Sequence, residues 1–285
     1  MKMRAMEIIA NVMHTTQGVP RFFGGLHFAF FFGVILTSVL LCVCFRDADD
    51  KTFRRIIAVM FLVMFVGEAL KQLVYPLRIV NGELVYEYDW SFFPFQLCST
   101  PIYVLPLVAF LPDSKVRDAA AAYLMTYGLT GGVAVYLFPS TVFVDPVFIN
   151  YQTMIHHGIQ IVSGVYIAAY YRRKLGKSFY IGAVCVFAVT YTVAFLLNTV
   201  FYDILLRMGW IGRTDVFNMF YISPRQGMML PSLFDFMEQL PPIVYMPGYF
   251  VVLSLAALLL VVGSKHIWLW LCKLADRPEK KNGEA

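Results

Sequence analysis

Apolar residues run through this chain in long blocks separated by short polar connections. A hydrocarbon core takes ~20 residues of helix to cross. Seven stretches meet that length: roughly 24–45, 55–78, 91–111, 117–138, 150–171, 178–201 and 243–263. The pattern predicts an all-α, polytopic membrane helical bundle with seven transmembrane helices and a long connection, 202–242, before the last. No repeat of fixed period interrupts it, so residues 1–285 read as a single integral membrane domain. Residues 1–23 lack the continuous apolar region and small-residue cleavage site of a signal peptide, and read as a retained interfacial segment.

Polar positions inside the blocks are few and fall at matching depths. His156 and His157 lie six and seven residues into the fifth block, and Cys98 seven residues into the third. Glu68, Lys71 and Gln72 stand near the end of the second block, Asn198 near the end of the sixth and His27 near the start of the first. At ~1.5 Å per helical residue these groups share one half of the membrane. The other halves are almost wholly apolar, which is the pattern of one off-centre pocket and not of a pore.

Charge orients the bundle. The connections 46–55, 112–118 and 172–177 and the C-terminal segment hold 15 of the Lys and Arg residues, against 7 on the opposite side. The positive-inside rule places the N-terminus outside and the C-terminus in the cytoplasm, so the polar half is the outer one. Composition agrees with a cell-membrane protein: 59% of residues are hydrophobic and only 14% charged, where soluble domains carry ~25% charge. The net charge of +5 sits in short loops, as orientation signals do, and gives no support to nucleic-acid binding.

Three groups carry candidate chemistry. In Ser91-Phe92-Phe93-Pro94-Phe95-Gln96-Leu97-Cys98-Ser99-Thr100-Pro101, read as helix, Pro94 lies in the first turn. Pro101 lies in the interior, where it frees the Leu97 carbonyl and kinks the helix beside Cys98. A thiol there, paired with a histidine that takes its proton, is a candidate nucleophile; the plain alternative is a small buried hydrophobe. On an ideal helix Gln96 points ~200° away from Cys98, so it joins the pocket only through the kink. In the fifth block His156, His157 and Gln160 share a stripe with Thr153 and Gly164 that faces protein. The adjacent histidines diverge by ~100°, so one of them is expected to reach the pocket. Glu68 is spaced to pair with Lys71 and Gln72 and stands as a group able to orient a histidine. No HxxxH or HExxH puts two ligands on one helical face, so no metal is expected, and no motif calls for a cofactor. The long connection, with Asn218 in it, reads as a lid over the pocket.

Phe93-Pro94-Phe95-Gln96-Leu97-Cys98 resembles the L-P-L-H/Q-L-C segment of the YwaF-like integral membrane proteins. Asn218, Met219, Tyr221, Pro224, Ser232, Leu233, Asp235, Pro242 and Tyr245 match that family's later N-Y-M-Y-L…P…S-L-L-D…G-P-W-P-x-Y stretch. Gln96 stands where a histidine is often found, and Phe220, Phe234 and Gln239-Leu240-Pro241-Pro242 depart from the family's Tyr, Leu and G-P-W-P. The YwaF-like family is similar to a eukaryotic transmembrane acyltransferase group that moves fatty acyl chains onto ether lysophospholipids through a cysteine. The resemblance implies Cys98 as acyl acceptor, an acyl-lipid donor and a lysophospholipid acceptor. With it go His157 or His156 as base and a pocket including Gln96, Gln160, Asn198, Glu68 and Asn218. The rival from another class is a non-catalytic lipid- or small-molecule-binding protein or transporter, for which inverted repeats would speak; none is found.

Overall fold

Helix α1 covers Lys2–Met13, α2 Gly25–Phe45, α3 Asp50–Leu73, α4 Pro101–Phe110, α5 Lys115–Leu137, α6 Val147–Tyr170, α7 Lys177–Arg207 and α8 Pro242–Ala275. The computed structural model describes residues 2–139, 142–226 and 240–275. By length and hydropathy five of the described helices, α2, α3, α5, α7 and α8, are candidates to cross a membrane. The sixth helix is as long as these, at 24 residues, but carries Asn150, Gln152, Thr153, His156, His157, Gln160 and Ser163, all buried. It contacts α2, α3 and α5, so protein rather than lipid surrounds its polar faces. The fifth helix is the other centre, packed on α4, α6, α7 and α8.

Glycine lets α5 and α6 approach closely. A Cβ on Gly132 would lie 2.7 Å from the His157 carbonyl oxygen, and one on Gly164 would lie 2.8 Å from Leu129 Cβ. Small residues at such contacts are how helices pack where lipid supplies no hydrophobic drive. At the far end of the bundle the helices are tied by charge. Arg117, fully buried, pairs with Asp50 and lies over the Phe53 ring, while Arg172 pairs with Asp47 and Lys174 with Asp118. The Arg172 hydrogen bond holds the Asp47 carboxyl below the usual carboxylate range. Asp47 therefore contributes at neutral pH, and the contribution fades as pH falls through the lowered value.

Three expectations need correction. The second helix of the pattern begins at Asp50 and ends at Leu73, not 55–78. Beyond it lies a β-hairpin, β1 Leu77–Val80 and β2 Glu83–Tyr86, turned by Asn81 and Gly82, both at positive φ. Positive φ at both central residues is the turn that Asn-Gly favours. The third helix does not run from 91 to 111. A single 3₁₀ turn at Trp90–Phe92, capped by Asp89, is followed by non-helical backbone, and α4 starts only at Pro101. Pro101 is thus the first helical residue, where its missing N–H is harmless, and the interior proline is Pro106. No proline kink lies beside Cys98; the backbone there is unwound. The Leu97 carbonyl is satisfied by the Thr100 hydroxyl at 2.7 Å.

Candidate functional site

The unwound stretch 93–100 meets a second irregular segment, from the connection after α7. Phe217, Met219, Phe220 and Ile222 are fully buried, so this part of the connection enters the bundle and does not cover it as a lid. Irregular backbone at membrane depth must have its amides and carbonyls met by protein. Two side-chain amides do so here. Gln96 Nε2 donates to the Asn218 carbonyl at 2.8 Å, and its Oε1 accepts from the Phe220 N–H at 2.9 Å. One residue between them, Asn198 Nδ2 donates to the Met219 carbonyl at 2.8 Å and Oδ1 accepts from the Met219 N–H at 2.7 Å. Asn218 Oδ1 accepts from the Ser223 N–H, which closes the turn. Phe220 and Tyr221 both sit at φ 57, a conformation costing ~1–2 kcal/mol for a residue with a Cβ. The amide clamp holds them in it. Asn198 lies in a π-helical turn, Leu197–Phe201, and a second such turn, Leu124–Gly128, interrupts α5 beside the same region. Widened turns of this kind recur at functional sites.

Cys98 is half-buried, while Ser99, Thr100, His156, His157 and Gln160 near it are buried. Its backbone is held from α6: His156 Nε2 donates to the Cys98 carbonyl at 2.9 Å and Gln160 Nε2 donates to the same oxygen at 2.5 Å. From α5, a Cβ on Gly131 would come within 3.7 Å of Cys98 Cβ. Thr100 shares a hydrogen bond with the Tyr123 hydroxyl at 2.5 Å.

The two histidines are set in different tautomers by their neighbours. A carbonyl only accepts, so His156 carries its proton on Nε2, and its Nδ1 faces Glu68 Oε2 across 3.9 Å, too far for a direct hydrogen bond. His157 Nδ1 donates to the Thr153 carbonyl at 2.8 Å, which leaves Nε2 with a lone pair, buried and without a partner among the described residues. Among the described residues each ring keeps one buried, unpartnered lone pair, on Nδ1 of His156 and Nε2 of His157. Glu68 is buried and surrounded by donors: Lys71 at 3.3 Å, Gln72 at 2.7 Å and Gln152 at 3.2 Å. The i,i+3 and i,i+4 pairing expected from spacing is present. Among the described residues no three His, Cys, Asp or Glu side chains form a metal-ligand set.

The structure therefore brings Cys98, His156, Gln160 and Glu68 into one connected group, with the His157 ring 5.3 Å from that of His156. Gln96, Asn198 and Asn218 are engaged with backbone two residues or more away from Cys98. A model of the TMEM164 family matches residues 22–264, from the turn before α2 to well inside α8. The chain belongs to the TMEM164 family. No curated protein and no solved structure matches it. The TMEM164 match spans both irregular segments and every residue of the group around Cys98, and the apolar helices make the chain a membrane protein. Ser232, Leu233, Phe234, Asp235 and Gln239 of the sequence resemblance lie outside the described residues. Sequence reasoning missed Thr100, Tyr123 and Gly131, which shape the surroundings of Cys98. Ser-Thr-Pro at 99–101 is a helix-start signal and could have revealed the unwound approach to α4.

Proposed function

We propose that this TMEM164-family protein transfers an acyl chain between membrane phospholipids through a thioester on Cys98. The observation that carries the reading is His157: a buried imidazole with its free Nε2 fixed by a backbone hydrogen bond, one residue from the histidine that holds the Cys98 carbonyl. The sequence resemblance to a cysteine-dependent acyltransferase group supports the same chemistry. Cys98 Sγ attacks the ester carbonyl of the donor phospholipid. The S–C bond forms, the ester C–O bond breaks, and the thiol proton passes through His157 to the departing lysophospholipid oxygen. The hydroxyl of an acceptor lysophospholipid then attacks the thioester, giving its proton to His157, and the thiol is restored. His156 and Gln160 are positioning residues that fix the backbone of the nucleophile, and Glu68, held by Lys71, Gln72 and Gln152, is the acidic group beside His156.

The architecture we propose has seven crossings: α2, α3, the unwound stretch with α4, α5, α6, α7 and α8. The N-terminus is outside, and the site is in the outer half of a cell membrane. Reporter fusions are expected to place 46–55, 112–118 and 172–177 in the cytoplasm and 203–242 outside, following the Lys and Arg bias. A cytoplasmic 203–242 would turn the site to the inner leaflet.

The chemistry is tested by incubating purified protein with a phospholipid labelled in one acyl chain and resolving the products by mass spectrometry. The expected result is one hydroxylamine-sensitive acyl group on the peptide containing Cys98. It should be chased off by added lysophospholipid and be absent from Cys98→Ala. Acyl transfer at the wild-type rate by Cys98→Ala would overturn the proposal and leave a membrane protein that binds lipid without using this thiol.

A further inference from the structure

Away from Cys98, α7 and α8 part to leave a groove of about 470 Å³, lined by Tyr191, Thr192 and Phe195 on one side and Met246, Phe250 and Val251 on the other. That volume lies within the ~300–1,000 Å³ usual for sites that hold a small molecule. The helix faces beside it are those of lipid-exposed spans: Val189, Val193, Leu196, Val252 and Leu255 are all exposed. Hydrocarbon is therefore what lies against it.

The lining says which part of a lipid fits. Both of its side-chain hydroxyls are already used. Tyr191 O–H donates to the Met246 carbonyl at 2.8 Å, and Thr192 O–H donates to the Ala188 carbonyl at 2.8 Å, which turns the threonine's polar end back onto its own helix. A phosphate would find no free hydroxyl donor among these side chains and would have to give up water to enter. An acyl chain loses nothing. Between lipid and apolar protein there is no hydrophobic drive, so occupancy rests on contact: an empty groove forfeits dispersion on one side, and a chain laid in it restores it. Stacked rings form a rigid floor, Phe250 on Phe187 at 4.9 Å and Phe187 on Phe220 at 6.3 Å.

The floor also connects the groove to the unwound segments. Tyr191 meets the Phe220 ring at 6.4 Å, Phe220 stacks on Phe95 at 6.0 Å, and the Phe220 N–H is bonded to Gln96, two residues from Cys98. Phe220 thus links the groove wall to Gln96, two residues from Cys98 in the chain. We propose that it seats one acyl chain of a membrane phospholipid, entering sideways from the bilayer. That this is the chain presented to Cys98 rests on the acyl-transfer reading; the seat itself does not.

The test uses the full chain in phosphatidylcholine vesicles containing a phosphatidylcholine with a photoreactive diazirine in one acyl chain. Adducts are mapped by peptide mass spectrometry. They are expected to concentrate on residues 191–195 and 246–251. Thr192→Trp and Val251→Trp, which fill the groove from opposite walls, should each remove most of them. Val189→Trp, on the exposed face outside the groove, should leave them in place. Adducts spread evenly along the exposed faces of α7 and α8, and indifferent to both filling variants, would show bulk lipid only and overturn the seat. Cys98→Ala separates the two readings. Its groove adducts should equal those of the unchanged chain even if the thioester never forms, whereas a Cys98 thioester with an unlabelled groove would retain the chemistry and reject the seat.

Discussion

Replacing His157 with alanine is expected to slow formation of the Cys98 thioester by ~10²–10⁴-fold, the usual worth of a positioned general base. A thiol among apolar and neutral groups is a poor nucleophile until its proton has somewhere to go. His157 Nε2 is a buried imidazole nitrogen with a free lone pair, and its other nitrogen is committed to the Thr153 carbonyl. His156 also keeps an unpartnered nitrogen, but its Nε2–H holds the Cys98 carbonyl itself, so removing its ring moves the nucleophile's backbone as well. His156→Ala should therefore act on placement, and His156→Gln, whose amide can still donate to that oxygen, should recover much of the loss. His157→Gln should recover nothing, because an amide has no basic nitrogen. Rates of thioester formation measured by stopped reaction and mass spectrometry decide it. Equal rates for His157→Ala and the unchanged protein would remove His157 from the chemistry.

The second large effect is on stability. Asn198→Ala strips partners from both the N–H and the carbonyl of Met219, deep in the bundle. Each buried backbone group left unpaired costs ~1–3 kcal/mol, so a loss of roughly 2–6 kcal/mol is expected. The left-handed backbone at Phe220 and Tyr221 adds to it, because the clamp that enforces this conformation is half gone. Asn198→Asp is not a rescue: it keeps the acceptor for Met219 N–H but turns a carboxylate toward the Met219 carbonyl. Unfolding of the detergent-solubilised protein, followed by tryptophan fluorescence, should show a lower Tm for both variants. Limited proteolysis should open near 215–226. An Asn198→Ala protein as stable as its parent would mean that water or another side chain takes over both bonds.

Hydropathy made most of the helices legible, because α2, α3, α5, α7 and α8 each hold an apolar window long enough to cross a membrane. The polar α6 was legible for another reason: the spacing of His156, His157 and Gln160 puts them on adjoining faces that only protein can surround. Length and apolarity misled at 91–111. A run of Phe, Pro and Leu has no period to separate helix from buried irregular backbone, and Pro101 was weighed as a helix breaker when the Ser-Thr before it marked a helix start. The hairpin was within reach, since Asn81-Gly82 lies between short alternating runs. The amide clamp was not. Gln96 and Asn198 are amides that satisfy backbone far from them in sequence, and nothing local to either residue names its partner. Gln96 and Asn198, expected in the pocket, are hydrogen-bonded to the segment 218–220.

The clamp also sets an order of events during synthesis. Gln96 emerges from the ribosome more than a hundred residues before Asn218 and Phe220, its partners. Until then the stretch 93–100 has no mate for its side-chain amide and no neighbour on that side, in a solvent that offers none. The nascent chain must therefore keep this stretch at the water boundary, or beside the insertion machinery, while α5, α6 and α7 are laid down. Only arrival of residues 215–226 lets it sink to its final depth. Nascent chains stopped after α7 should keep Cys98 open to a water-soluble maleimide, and the completed protein should close it.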